Sequence, residues 1–500
     1  MACVTIRCLH HLLIYVSDLE RAATFYTRLG MEPIPSLGPR IRWMRMGPNE
    51  LHLMANEGSW QRFREEPSPH FAIEADDIHA AQQLIPRIGG EILQEVGARP
   101  HDGSLYLFAL DPDGNRFEVT QHSQDWHLRH ALLEAMKGKG SLRSACVEGA
   151  LRSVPRHLFL PNKPLQEAYS DQAILTKDQG EARSSCSQPS IVAIMLELLR
   201  LQGGENILEI GAGTGWNAAL MSALSGSQGR VTTLEIDQDT AESARSNVAQ
   251  VKAANVQVIN SDGGFGWPES APYDAIIATC GASDISPHWA EQLREGGVFV
   301  APLWFNTTQF CGAWEKRGDK LFSRDLSWAG FMPLRGHFAT ARQIEENGAS
   351  FLFDEMHALE MKALSLLLST AAREVELPEL YTNGAPANSS FLTYLALRGE
   401  PLLMLTPPGV LNAVSALSVE PESLLVLDME PRLYGSQASV ERLRARWSEW
   451  EASGRPGLEQ AHLTVAERNT LQPEPDAFLV RKTWMDYLVR FQPPELKPPQ

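Results

Sequence analysis

The sequence predicts a multidomain protein of mixed α/β and α+β class. Its 500 residues amount to roughly three typical domains of about 150 residues each. Apolar residues at 43% and charged residues at 21% are those of a globular chain rather than a disordered or fibrous one. Between about residues 206 and 302, short apolar runs alternate with helical patterns, which is how parallel βαβ units read in sequence.

Charge and cysteine usage narrow the setting. Forty-four basic against 61 acidic residues leave a net charge of −17, which disfavours nucleic acid or an anionic membrane surface as the main partner. An anionic substrate then needs a local basic site. Met1 to Val16 is interrupted by Arg7, His10 and His11, unlike the apolar core of a signal peptide, and no stretch is long enough to span a bilayer. Cys3, Cys8, Cys146, Cys186, Cys280 and Cys311 form no C-x-x-C pair, so a reduced, cytoplasmic protein is expected.

The elements follow in three blocks, expected at 1–125, 126–336 and 337–500. Arginine is the only cation before a polar stretch, His122 to His127, and lysine first appears at Lys137, which marks the first boundary. In the second block strands are expected at Asn206 to Ile210, Val231 to Ile236, Val256 to Asn260, Ala275 to Thr279 and Val298 to Pro302. In the third, helices are expected at Met356 to Arg373 and Ser439 to Glu451. Strands are expected at Phe391 to Leu397 and Leu424 to Asp428, before a proline-rich tail, Pro493 to Gln500.

The most informative stretch is Ile207-Leu-Glu209-Ile-Gly211-Ala-Gly213-Thr-Gly215. An apolar strand ends in three alternate glycines and enters a helix, which lets bare backbone approach a nucleotide cofactor. Glu235 lies twenty residues after Gly215 (235 − 215) at the end of the next strand, where a carboxylate can bind ribose hydroxyls. Asp262 and Gly263 follow the third strand, near where an adenine amino group would lie.

Several separated motifs carry a family resemblance: Arg152-Ser-Val-Pro155-Arg156-His157, Ala168-Tyr169-Ser-Asp171-Gln172, Ser187-Gln188-Pro189, the glycine motif, Pro272-Tyr273-Asp274 and Gly296-Gly297. Residues 128–336 resemble the protein-L-isoaspartate O-methyltransferases, with a Rossmann-like fold. The resemblance implies S-adenosylmethionine as cofactor, a peptide or protein carrying aspartate or isoaspartate as partner, and Ser187 at the active-site serine position. It places Glu209, Gly211, Gly213, Gly215, Glu235, Asp262 and Gly263 on the cofactor side. A carboxylate is already ionised at neutral pH, so methyl transfer to it needs no general base, and Ser187 would orient the substrate. The other role open to Ser187 is a helix N-cap before Pro189. Ser184-Ser185-Cys186, the segment Gly281 to Trp289 and the long extension after Gly336 resemble the FxLD-type branch, which implies a ribosomally made precursor peptide modified through a methyl ester and aspartimide. Lys177, Arg183, Arg152 and Arg156 are candidate cations for that peptide, each also readable as a solvated surface charge.

His11-Leu-Leu-Ile-Tyr-Val16, Phe25-Tyr26-Thr27-Arg28-Leu29-Gly30, His70-Phe-Ala-Ile-Glu74 and Asp111-Pro-Asp113-Gly114-Asn115-Arg116-Phe117-Glu118 resemble the vicinal-oxygen-chelate, or glyoxalase-like, fold of paired βαβββ modules. The resemblance implies a divalent metal at His11, His70 and Glu118, with a further ligand from the strand holding Glu50 and His52. Alternation puts Glu50 and His52 on one face and turns His10 away. An inert cup with hydrogen-bonded core histidines is the other reading. Beyond residue 336 no catalytic motif appears: His357, Glu360 and His462 are scattered, and Leu364, Leu367 and Leu368 read as core. Trp447, Trp450, Trp484, Tyr487 and Phe491 read as core or as a peptide groove, in a recognition or homodimerisation lobe. General repair of isoaspartyl proteins, and a metal-dependent activity centred on the first domain, are the competing functions.

Overall fold

The computed structural model describes residues 11–491, except 37, 47–48, 57–69, 100–102, 180–181, 340–341, 347, 354–360, 378–380, 383–384, 387–388, 407–413, 420–421 and 428–429. His10, His357, Glu360 and the Pro493 to Gln500 tail therefore lie outside the described residues. The chain divides into two compact units, Met1–His130 and Ala131–Gln500.

The first unit repeats one pattern twice. His11–Val16, the helix Leu19–Arg28 and strands Glu32–Ile34, Ile41–Met46 and Asn49–Ala55 make a four-stranded sheet. Phe71–Glu74, the helix Ile78–Arg87 and strands Glu91–Ala98, Leu105–Leu110 and Arg116–Gln121 make another. Each helix starts where the sequence supplies an aspartate cap. Asp18 accepts from the Glu20 and Arg21 N–H groups at 3.0 Å, and Asp77 accepts from Ala80 N–H at 2.9 Å. The Asp111 to Asn115 turn is closed by the Asp111 carboxylate, which accepts from the N–H groups of Asp113 and Asn115 and from the Tyr26 hydroxyl of the first module. The two modules thus form the expected glyoxalase-like pair.

The second unit is built on a long mixed sheet whose described strands run in the order Val256–Asn260, Arg230–Glu235, Asn206–Ile210, Tyr273–Ala278, Leu293–Phe305, Thr308–Arg317, Lys320–Trp328, Ala461–Glu467, Met485–Phe491, Phe478–Arg481. The first five are parallel, as the alternation of strand and helix predicts; the rest pair antiparallel. Segments from beyond residue 336 extend this sheet, and a second, antiparallel sheet forms around Leu402–Thr406, Val414–Val419 and Ser423–Leu427. One apolar core runs from Leu208 and Ile276 through Trp314 to Leu395, Trp450 and Val489. The stretch read from the sequence as an extension therefore shares both a sheet and a core with the cofactor-type domain.

Phe391 to Leu397, expected as a strand, lies in a helix, Ser389–Leu397. Phe391, Thr393, Tyr394, Leu395, Ala396 and Leu397 are all buried, so the run is apolar on every side and its periodicity cannot separate strand from helix. Of the aromatics read as core or groove, Trp450 and Tyr487 are buried and Trp447, Trp484 and Phe491 are half-buried against the same core; Phe391 packs on Trp447 and Trp450 with ring centroids 4.9 and 5.3 Å apart.

Candidate active site

At the carboxyl end of Asn206–Ile210 the backbone passes through Gly211, Gly213 and Gly215, all with positive φ (96°, 52° and 83°), before the helix Trp216–Ser225 begins. A β-carbon at Gly213 would sit 3.4 Å from the Ser185 carbonyl, so bare backbone is what lets this turn lie against the Ser184–Ser187 segment. Gly263 is equally constrained, since a β-carbon there would meet the Ile210 side chain at 2.5 Å.

Two buried carboxyl groups lie beneath this turn. Glu235, at the end of the neighbouring strand, accepts from Gly213 N–H at 3.0 Å and Asp237 N–H at 3.2 Å. Burial raises its pKa against the pull of those two donors. Glu209 is fully buried and accepts from the Thr233 hydroxyl at 2.6 Å and the Asn217 amide at 2.7 Å. Burial pushes its carboxyl up to about 7. Asp237 is held below the usual carboxylate range by Arg335, which donates to both its oxygens at 3.0 and 2.7 Å.

Around the turn opens a cavity of about 580 Å³. One side is Ser184 to Gln188, another Glu209 to Thr214 with Glu235, a third Thr279 and Cys280, and the last the segment Gly330 to Arg335. Burial pushes the Cys280 thiol up to about 12, so it is protonated and not a nucleophile at neutral pH. Ser187 is half-buried in the wall, and among the described residues its hydroxyl makes no hydrogen bond. It does not cap the following helix: the N-cap position belongs to Gln188, which makes no side-chain cap bond either.

What fixes Ser187 is Arg156. Its guanidinium is buried over the Trp216 ring and donates to five carbonyls: Ala168 at 2.7 Å, Ser170 at 3.1 Å, Gln172 at 2.9 Å, Cys186 at 3.3 Å and Ser187 at 3.0 Å. The motifs around residues 156, 168–172 and 187 thus converge on one cation. This corrects the reading of Arg156 as a substrate-binding or surface charge. Lys177 pairs with Asp237 and Asp239, and Arg152 with Glu148 and Glu134, so both are occupied within the protein. Of the four candidate cations only Arg183 lines the cavity, and it also pairs with Asp178 at 3.1 Å.

Asp262, expected near an adenine amino group, follows the third strand and caps the short turn Gly263–Phe265. It does not line the cavity; its carboxylate accepts from Gly264 N–H at 2.9 Å and His337 N–H at 2.8 Å, tying the loop after the third strand to the segment after Arg335. Gly263 does line the cavity.

A group that no motif predicted lies behind the cavity. Asp284, in the loop after Tyr273–Ala278, is buried and accepts from the Tyr487 hydroxyl at 2.7 Å and Trp484 N–H at 2.7 Å. Burial pushes its carboxyl up to about 6. Lys482 donates to the Ser283 carbonyl at 2.5 Å and to the Trp304 carbonyl. The same loop holds the cavity wall, because Gly281 N–H donates to the Met332 carbonyl at 2.7 Å and Leu334 N–H to the Gly281 carbonyl at 2.8 Å. Partners some two hundred residues apart carry no local sequence signal.

In the first unit the expected ligands fall into two pairs. His70 Nε2 lies 3.4 Å from Glu118, whose other oxygen is bound by Arg99. His52 Nε2 lies 2.8 Å from Glu50 and stacks on Trp43. His11 is in the first strand, and its side chain lies outside what is described. Among the described residues no three ligand-type side chains come together. With a guanidinium against Glu118, the described residues do not fit the expected metal, and no step is derived through one.

Strand order, glycine turn and carboxylate beneath it are those of the Rossmann-like methyltransferases, which sets the class of the protein. Residues 127–338 match the family described as protein-L-isoaspartate(D-aspartate) O-methyltransferase, and residues 8–119 the glyoxalase/bleomycin resistance protein/dioxygenase superfamily. A protein-L-isoaspartate O-methyltransferase of Dictyoglomus thermophilum is 34% identical over 226 residues, 45% of this chain and 98% of that one. One of Methanococcoides burtonii is 40% identical over 173 residues, 34% of this chain and 82% of that one. A solved protein-L-isoaspartate O-methyltransferase structure is 27% identical, covering 68% of this chain and 96% of that one, with a TM-score of 0.43. The chain belongs to the protein-L-isoaspartate O-methyltransferase family, as an S-adenosylmethionine-dependent enzyme with a glyoxalase-like domain at its N-terminal end.

Proposed function

We propose that the enzyme methylates an aspartate or isoaspartate carboxylate in a dedicated, ribosomally made peptide. The observation that carries this reading is the cavity itself, in which a free serine hydroxyl lies across from a cofactor-type glycine turn. When bound, S-adenosylmethionine supplies an electrophilic sulfonium methyl group. Gly211 and Gly213 would give it bare backbone, the Glu235 carboxylate would accept from the ribose hydroxyls and Gly263 would lie beside the base, while Gly215 acts by letting the turn pass close to Ala244 and Val248. Glu209 acts from beneath, through Asn217 and Thr233, and Asp262 acts by holding the wall rather than by touching the cofactor.

The substrate carboxylate is ionised at neutral pH and is itself the nucleophile, so the protein's task is alignment and exclusion of water. Ser187 donates to one carboxylate oxygen and turns the other toward the methyl group; Phe331, Met332 and Leu334 keep the site dry. The dedicated peptide is supported by the 160 or so residues, on the order of a further domain, that follow the shared family region and merge with its sheet and core. The resulting ester is open to attack by the nitrogen of the next backbone amide, which closes an aspartimide as the acyl–oxygen bond breaks and methanol leaves with the amide proton.

The full chain, labelled S-adenosylmethionine and a panel of isoaspartyl and aspartyl peptides test this. Selective turnover supports a dedicated peptide, and equal turnover of any isoaspartyl peptide supports repair instead. Ser187→Ala should lower kcat by roughly 10- to 100-fold, the scale of one lost aligning hydrogen bond, with S-adenosylmethionine affinity kept within about twofold. Unchanged kcat would remove Ser187 from the mechanism.

A further inference from the structure

A second cavity, of about 620 Å³, adjoins the first. Its walls come from the methyltransferase sheet (Trp304, Thr308, Gln309, Trp328) and from the segments beyond residue 336 (Leu392, Met404). Gly330, Phe331 and Met332 line both cavities, so a single stretch of backbone separates them. Gln309 holds that stretch from the groove side, its amide oxygen accepting from Phe331 N–H and its amide nitrogen donating to the Phe331 carbonyl at 3.3 Å.

We infer that this groove takes an apolar side chain of the substrate peptide, flanking the methylated carboxylate. The inference rests on the proposed carboxylate substrate. An extended peptide advances about 3.3 Å per residue, so a neighbouring groove beyond one backbone layer is reached about three residues from the modified position. Charge supports an apolar contact. The protein carries −17 overall, three of the four candidate cations are engaged away from the cavity, and Arg183 is shared with Asp178. Attraction to the peptide's own carboxylate is therefore weak, and affinity must come from surface removed from water. Trp328, 49% exposed, is the most exposed large apolar side chain there.

Two peptides with one isoaspartyl residue each test the groove, one with leucine three positions to either side and one with serine there. With the full chain, kcat/KM for the leucine peptide should be at least tenfold higher. Trp328→Ala and Leu392→Glu should bring the ratio close to one, with calorimetric S-adenosylmethionine affinity retained as the check on folding. The same peptides with asparagine at the central position cannot be methylated, so calorimetry on them reads the groove alone; at least tenfold tighter binding of the leucine version, lost in both variants, is expected. That preference without any methylation of the isoaspartyl peptides would fail the carboxylate reading and leave the groove standing. Equal affinity for leucine and serine peptides, or variants that weaken both alike, overturns the groove. So does self-association abolished by Trp328→Ala with the peptide ratio untouched, which would make the groove a contact between copies of the chain.

Discussion

Replacing Glu209 with glutamine should stabilise the enzyme increasingly as pH rises. The side chain is fully buried and its carboxyl is pushed up to about 7 from an ordinary 4.5, so the folded state prefers the protonated form. A raised carboxyl favours folding at low pH, and that advantage is lost as pH climbs from the unfolded value through the folded one. By linkage the ionisation penalty on wild type grows from ~1 kcal/mol at pH 5 to ~3 kcal/mol at pH 8. Glutamine carries no such penalty. Its oxygen still accepts from Asn217, and its amide can donate to the Thr233 hydroxyl, which turns from donor to acceptor. Urea unfolding of both proteins at pH 5, 6, 7 and 8, without cofactor, should show a stability difference that widens by ~2 kcal/mol across the range. A difference that stays constant would mean that Glu209 does not titrate there and that its burial is misjudged.

Other changes test the scaffold. Arg156→Lys leaves at most three donors for five carbonyls, so it should cost ~3 kcal/mol and lower kcat, because the Ser187 carbonyl is among the five; thermal melting and methyl transfer read both, and loss of stability with kcat intact would separate the fan from the chemistry. Tyr487→Phe removes the hydroxyl between Asp284 and Ile285 N–H and should destabilise by ~2 kcal/mol. Thermal unfolding unchanged by that substitution would show that the tail does not anchor the loop.

The parallel half of the sheet was legible because each of its strands is a local apolar run with a turn after it, and the glycine motif because its three positive-φ positions need glycine. Glu235 was legible for the same reason, since spacing alone puts it at a strand end beside the turn. Local pattern is silent where the partner is remote. Arg156 reads as a surface cation until five distant carbonyls are brought to it, and Asp284 carries no mark of Lys482 and Tyr487. Phe391–Leu397 failed for the opposite reason: six of its seven residues are buried and Leu392 is half-buried, so little polar–apolar periodicity is left to distinguish helix from strand. In the first domain Glu50 and His52 share the strand Asn49–Ala55 and Glu118 lies in Arg116–Gln121, while His70 just precedes the strand Phe71–Glu74; Arg99, whose guanidinium meets Glu118, belongs to no ligand pattern.

The anchoring of the Asp284 loop by residues 482–487 bears on how the protein is made. Every strand of the parallel half has left the ribosome long before Lys482 is translated, so the glycine turn can form early while the loop that carries the cavity wall still lacks its buried partners. Biosynthesis runs from the cofactor end of the site towards its far wall, and strands that emerge well after the parallel half complete it. A nascent chain, or one terminated before Lys482, would thus hold the donor half of the reaction without the finished chamber, which ties competence for methyl transfer to synthesis carried past residue 487.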